Sequence, residues 1–335
     1  MDFGKYLEQN AGKLDKQIKK ILDEWIKEVE KTDKKLVSLG KAFVKSCTGG
    51  KRIRGTLVKV GYEIAKDSAN NEILKIGAAY EILHTASLIH DDIIDQSPTR
   101  RGQKSLYKVL GGHHYGISQG ISLGDIGFFL TVKIISESNF PEVLKNKVLR
   151  LFSKTMIDTG LGEMLDVEKG DPLILARLKT ARYSVCAPLQ IGAILARADH
   201  GLVRILGEFG ENLGIAYQIQ DDILGVFGEE KTLGKSVTSD IEEGKNTTLF
   251  EYALKNADRN QKEVLEKLYG KGKIRSHGLE VVRRIFKGTG ALDYAENEAK
   301  KYKNKALKML PGITKDPEMS KLLEQMAEWL VERKK

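Results

Sequence analysis

Six prolines in 335 residues leave room for long, rarely interrupted helices. Apolar side chains recur at helical spacing. Leu14, Ile18, Ile21, Leu22, Trp25, Ile26 and Val29 mark one face of a helix over Lys13–Val29. The same reading predicts helices over Lys34–Ser46, stopped by Gly49-Gly50, and from Lys51 to about Asp67. Glu72–Asp95 is apolar on most sides and reads as a helix buried in a bundle. Ser97–Gly102 is expected to be a loop, followed by a short helix, Ser105–Leu110, and a buried one, Tyr115–Ser136. Further helices are expected in Pro141–Lys169 and from Pro172, the latter kinked at Pro188. The rest should form helices over His200–Phe227, Thr247–Tyr269, Arg275–Lys287, Ala291–Leu310 and Met319–Arg333. Strand-type alternation is nearly absent, and no repeat or linker divides the chain. The expectation is a single all-α domain over residues 1–335, a bundle of roughly ten or more helices.

The buried helix Glu72–Asp95 ends unusually. After Leu88 and Ile89 come His90, Asp91, Asp92, Ile93, Ile94 and Asp95, then Arg100-Arg101-Gly102. Asp91 and Asp95 share a helix face, with their Cβ atoms about 6 Å apart. Repulsion and desolvation both oppose two bare carboxylates there, and acids suit the other end of a helix. A divalent cation removes the conflict, and hard oxygen ligands suit Mg²⁺ shared with substrate phosphates. A second acidic pair, Asp221-Asp222, follows Tyr217-Gln218-Ile219-Gln220 at the end of another apolar helix. Two such helices facing each other would point both clusters into one cavity.

The net charge of +9 suits nucleic acid, an anionic surface or small phosphorylated ligands. No aromatic-basic motif, zinc-finger spacing or dense basic run supports nucleic acid. Cys47 and Cys186 lie far apart and read as reduced thiols. The first ten residues lack an apolar signal core, and no run is long enough to span a bilayer. The expectation is a soluble, cytoplasmic protein.

From Gly49 to the terminal Trp329-Leu330-Val331-Glu332-Arg333 the sequence resembles the trans-isoprenyl diphosphate synthases. The landmarks are Gly49-Gly50-Lys51-Arg52-Ile53-Arg54, the two acidic motifs, Leu178-Lys179-Thr180-Ala181, and Gly234-Lys235 through Asp240 to Lys245. Tyr183–Ala196 looks most like archaeal and related prokaryotic members, the geranylgeranyl diphosphate synthases among them. The resemblance implies helices around a central cavity, a homodimer and a Mg²⁺-dependent reaction. An allylic diphosphate loses pyrophosphate, the double bond of isopentenyl diphosphate attacks the cation, and a proton leaves. It further implies metal ligands at Asp91, Asp95, Asp166, Asp221 and Asp222. Arg100, Lys179 and Lys235 match groups that hold the allylic diphosphate, and Lys245 is a further expected substrate-binding residue. Lys51, Arg54, His84 and Arg101 match those that hold isopentenyl diphosphate, and Arg forks suit phosphate oxygens. Thr180 and Gln218 match groups whose oxygens lie near the developing cation.

Two positions depart from the pattern. Gly225 stands where many members carry a third aspartate, and Glu163 replaces a common glutamine. Product length is read from the residues before Asp91. Ala86 and Ser87 are small where a family Phe or Tyr closes the tail channel early, so the next bulky candidates are Leu83 and Tyr80. A helical turn rises about 5.4 Å, near one extended isoprene unit. A product of geranylgeranyl length or longer is expected, unless neighbours such as Phe128 and Phe129 close the channel. The competing readings are a class I terpene cyclase and a non-catalytic regulatory subunit of a prenyl synthase.

Overall fold

The computed structural model describes residues 2–66, 69–228 and 237–332. The chain forms two compact units, Met1–Phe152 with Pro188–Val203, and Ser153–Ala187 with Arg204–Lys335. Among the described residues the only sheet is a two-stranded hairpin, and no helix is long and apolar enough to cross a membrane.

The first unit is built around helix α4, Asn71–Ile94. Asn70 caps it by accepting from the Ile73 N–H at 3.0 Å. Ile73, Ile76, Ala78, Ala79, Tyr80, Ile82, Leu83 and Ala86 are all buried, so the helix has core on nearly every side. After the short helix α5, Leu106–Val109, helix α6, His114–Ser136, runs against α4. There Gly127 allows close approach, since a Cβ on it would stand 2.7 Å from that of Ala86. Helix α1, Phe3–Thr32, and helix α2, Val37–Ser46, add Leu14, Ile18, Leu22 and Phe43 to the same core. Helix α3, Ile53–Ala65, crosses α9, Ala187–Leu195, so closely that a Cβ on Gly61 would lie 2.0 Å from the Leu189 carbonyl oxygen.

Helix α7, Glu142–Val167, and helix α10, His200–Phe227, each carry the chain from the first unit into the second. Between them, α8, Pro172–Leu175, leads into a π-helical run, Ala176–Cys186. The second unit continues with shorter helices from Ser239–Glu243 to Pro317–Val331.

Several expected boundaries move, each for a local reason. α1 begins at Phe3 because Asp2 accepts from the Gly4 and Lys5 N–H groups, and because Phe3, Tyr6 and Leu7 are buried. Thr247–Tyr269 is two helices, Thr248–Asn256 and Arg259–Leu268, parted by a capping box between Asp258 and Gln261. The expected loop after α4 holds a hairpin pairing Thr99 with Lys104 and Arg100 with Gln103. The distortion expected at Pro188 lies upstream of it, as the π-helix, where the Ala187 N–H bonds to the Arg182 carbonyl. Both cysteines are free and buried.

Gly61→Ala should destabilise the protein by about 3 kcal/mol, since a methyl group cannot share space with a backbone carbonyl. Thermal unfolding would register a fall of several degrees, and an unchanged midpoint would contradict this packing.

Candidate active site

In the first unit, the loops flanking α3 and α4 converge on a group of cations. Arg52, the N-cap of α3, has a left-handed backbone at φ 54. Arg101 and Gln96 adopt φ 52, and Gly50 adopts φ 97. Non-glycine residues enter this region at a cost, and such strain gathers at functional sites. The chain here holds particular side chains in particular places. Arg101 Nη1 donates to the Thr48 and Gly49 carbonyls, each at 3.2 Å. Arg54 Nη1 donates to His84 Nε2 at 3.1 Å. Arg52 donates to Asp15 at 2.7 Å and to the Cys47 carbonyl at 2.8 Å. Glu81, buried in α4, accepts from the Gly55 N–H at 2.7 Å and lies 3.8 Å from Arg52.

Electrostatics follow from this crowding. Burial of the His84 ring holds its pKa well below the ordinary value, and Arg54, Arg101, Arg100 and Arg52 push it further down. His84 is therefore a neutral ring whose Nε2 accepts, set among guanidinium groups. Arg101 is itself lowered, by desolvation first and then by Arg52. Lys51 is exposed just before α3.

The carboxylate end of α4 stands beside this cluster. Arg100 Nη2 donates to Asp91 Oδ2 at 2.9 Å, and its Nε donates to Asp92 Oδ1 at 2.8 Å. Burial raises the Asp92 pKa to about 6 against the pull of Arg100. Burial opposes the charge on Arg100, but Asp92 and Asp91 more than offset it, so that pKa rises. Asp95 is the C-cap of α4 and partly exposed. Among the described residues no group of three or more His, Cys, Asp or Glu side chains forms a closed metal site. An open, all-oxygen face of this kind fits a cation such as Mg²⁺ that takes one or two carboxylates and completes its shell with phosphate and water.

In the second unit the π-helix presents Lys179 and Thr180. Gly162 of α7 and Gly214 of α10 bring it close. A Cβ on Gly162 would lie 2.6 Å from the Lys179 nitrogen, and one on Gly214 would lie 2.5 Å from the Ala181 Cα. Lys179 Nζ donates to Glu163 at 3.0 Å and to Asp166 at 2.6 Å. Lys245 Nζ stands 4.0 Å from Asp166 and 3.0 Å from Glu243. Thr180 Oγ1 donates to Gln218 Oε1 at 2.5 Å, and Gln218 Nε2 donates to Asp222 Oδ1 at 2.7 Å. That chain fixes the Gln218 amide and turns Asp222 towards it. Asp221, on the same helix, is partly exposed.

The structure gives physical accounts for both departures from pattern. Glu163 is a second acceptor for Lys179. At Gly225 a Cβ would stand 2.3 Å from Asp240 Oδ2, so the buried Asp240 carboxylate takes the room a side chain would need.

The expected isopentenyl-site residues Arg54, His84 and Arg101 come together in the first unit, and the second holds two chains of side-chain contacts, Lys179–Asp166–Lys245 and Thr180–Gln218–Asp222. Lys235 lies outside the described residues. Of the chain-length candidates, Tyr80, Leu83 and Ala86 are fully buried, and Ala86 is wedged against α6. Ser87 is partly exposed. Phe128 stacks on His90 with ring centroids 5.2 Å apart, whereas Phe129 is 71% exposed. The sequence motifs contain Arg52, Asp92 and Asp240 without assigning them a role, and Glu81 lies outside those motifs. A lone acid on the apolar helix, Glu81, was the legible signal.

Gly225→Asp should force the Ser239–Glu243 helix aside and set two carboxylates against each other. We expect a loss of about 2 kcal/mol in stability. A calorimetric midpoint equal to that of the parent would show that the space is free.

The family model for polyprenyl synthetase matches residues 37–286. The chain is 32% identical to the geranylgeranyl diphosphate synthase of Sulfolobus acidocaldarius over 86% of its own length and 88% of that protein. It is 35% identical to the geranylfarnesyl diphosphate synthase of Aeropyrum pernix, covering 86% and 91%. A solved geranylgeranyl pyrophosphate synthase from Corynebacterium glutamicum, complexed with isoprenyl diphosphate and magnesium, superposes with a TM-score of 0.92 at 25% identity over 99% of this chain and all of that one. Helical architecture, paired acidic motifs and sequence agree, and the chain belongs to the polyprenyl synthetase family of prenyltransferases.

Proposed function

We propose that this chain joins isopentenyl diphosphate head-to-tail to an allylic diphosphate, giving a trans product of geranylgeranyl length or longer. The observation that carries the reading is the division of charge in the first unit. The Asp91 face with Arg100 suits a metal-borne diphosphate. Arg54, His84 and Arg101, brought together beside it, suit a second diphosphate needing no metal, with Lys51 exposed just before α3. A cyclase acts on one diphosphate and has no use for that second cluster.

Asp91 and Asp95 in the first unit, and Asp166 and Asp221 in the second, are the residues proposed to hold Mg²⁺. Magnesium, when bound, neutralises the charge that develops on the departing pyrophosphate. Arg100, Lys179, Lys235 and Lys245 orient the allylic diphosphate and share that charge. Lys179 is already held by Asp166 and Glu163, so its ammonium needs little reorganisation. Thr180 and Gln218, locked together, offer oxygen lone pairs to the allylic cation. Neutral His84 accepts from Arg54 and steadies that guanidinium for isopentenyl diphosphate. The departing pyrophosphate takes the final proton. We propose that residues 1–335 work as a single prenyl synthase domain.

We infer a homodimer and a cytoplasmic location. Ile126 and Phe129 on α6, with Ile157, Leu161 and Met164 on α7, are exposed apolar side chains of the kind a second copy would cover. Relatives of geranylgeranyl and geranylfarnesyl type support the product range.

Incubation with radiolabelled isopentenyl diphosphate, allylic primers and Mg²⁺ should yield labelled alcohols of those lengths after dephosphorylation. Ser87→Phe, on the exposed side of α4, should shorten them, a cleaner probe than Ala86→Phe, which must part α4 from α6. Absence of elongation with every primer would overturn the reading.

A further inference from the structure

Charges in the second unit alternate along one line of side chains: Glu163, Lys179, Asp166, Lys245 and Glu243. Lys179 Nζ lies 2.6 Å from Asp166 Oδ2 and 3.0 Å from Glu163 Oε1. Its side chain is 19% exposed, that of Glu163 23% and that of Asp166 9%. Asp166 is thus the shorter and more buried partner, and alone it balances the ammonium. Glu163, one helical turn earlier on α7, adds a second hold on the same ammonium.

A lysine gripped from two sides is well placed, but its charge is partly spent. A polyanion that needs this ammonium competes with both carboxylates. The same competition helps the polyanion depart. Gly162 matters here because its lack of a side chain lets the π-helix approach α7 closely enough for Glu163 to reach Lys179.

We propose that Glu163 is a positioning residue that restrains Lys179 and thereby weakens the grip on the allylic diphosphate and on the pyrophosphate that remains after reaction. The proposal rests on the reading above, in which Lys179 serves the allylic diphosphate. Glu163 acts through Lys179 and needs no contact with reacting atoms. It turns affinity into turnover, since a pyrophosphate held less tightly leaves sooner.

Glu163→Gln keeps the shape and leaves an amide oxygen for Lys179 while removing the charge. Calorimetric titration with inorganic pyrophosphate in Mg²⁺ should find binding about five-fold tighter than in the wild type, the size of one partly exposed ion pair. The KM for the allylic diphosphate should fall by a similar factor, with the KM for isopentenyl diphosphate unchanged. Glu163→Asp, which keeps the charge, should stay near wild-type values. Unchanged or weaker pyrophosphate binding in Glu163→Gln would overturn the proposal, as would an equal shift in Glu163→Asp, because either result marks a packing role. A wild type that elongates no primer would remove the reading of Lys179 together with the proposal. An active wild type with unaltered affinities in Glu163→Gln removes the proposal alone.

Discussion

Gathering Arg52, Arg54, Arg100 and Arg101 around one imidazole is unfavourable, and much of the first unit is arranged to tolerate it. Like charges in a partly desolvated setting repel strongly. Three of the four guanidinium groups are therefore given clear counterweights. Arg52 has Asp15, Glu81 and a carbonyl, Arg100 has two aspartates, and Arg101 has two carbonyl oxygens. Arg54 bonds to the neutral His84 ring. Left-handed backbone at Arg52 and Arg101 is the local cost of aiming these groups. A diphosphate relieves the repulsion better than any of these partners, because it carries several negative charges and many acceptor oxygens.

The second unit solves a related problem in another way. Its cations, Lys179 and Lys245, are interleaved with acids, so the cluster is nearly balanced. The π-helix makes this arrangement possible. Its wider turn, flanked by Gly162 and Gly214, lets Lys179 reach one neighbouring helix while Thr180 reaches another. Extended π segments are rare and often mark function.

Much of this was readable in the chain. Helical periodicity, few prolines and the all-round apolar run of α4 fixed the fold class, because burial dictates those patterns whatever the partners are. The acidic motifs were legible because carboxylates at the end of an apolar helix demand an explanation. Other features were hidden. Within Lys51-Arg52-Ile53-Arg54 nothing says which cation turns inward, since that depends on the left-handed cap at Arg52. Ala86 and Ser87 are both small, yet one is pressed against α6 and the other is not. The meaning of Gly225 depended on Asp240, a residue brought near only by the fold. The π-helix left no mark beyond Pro188, two residues past its end.

We propose that the first unit carries a diphosphate site that works through arginines without metal. Calorimetric titration of the protein with isopentenyl diphosphate, in EDTA and without allylic substrate, tests it directly. Saturable binding that persists in Asp91→Asn and disappears in Arg54→Ala is the predicted result. Binding that requires Mg²⁺, or that survives Arg54→Ala undiminished, would contradict it.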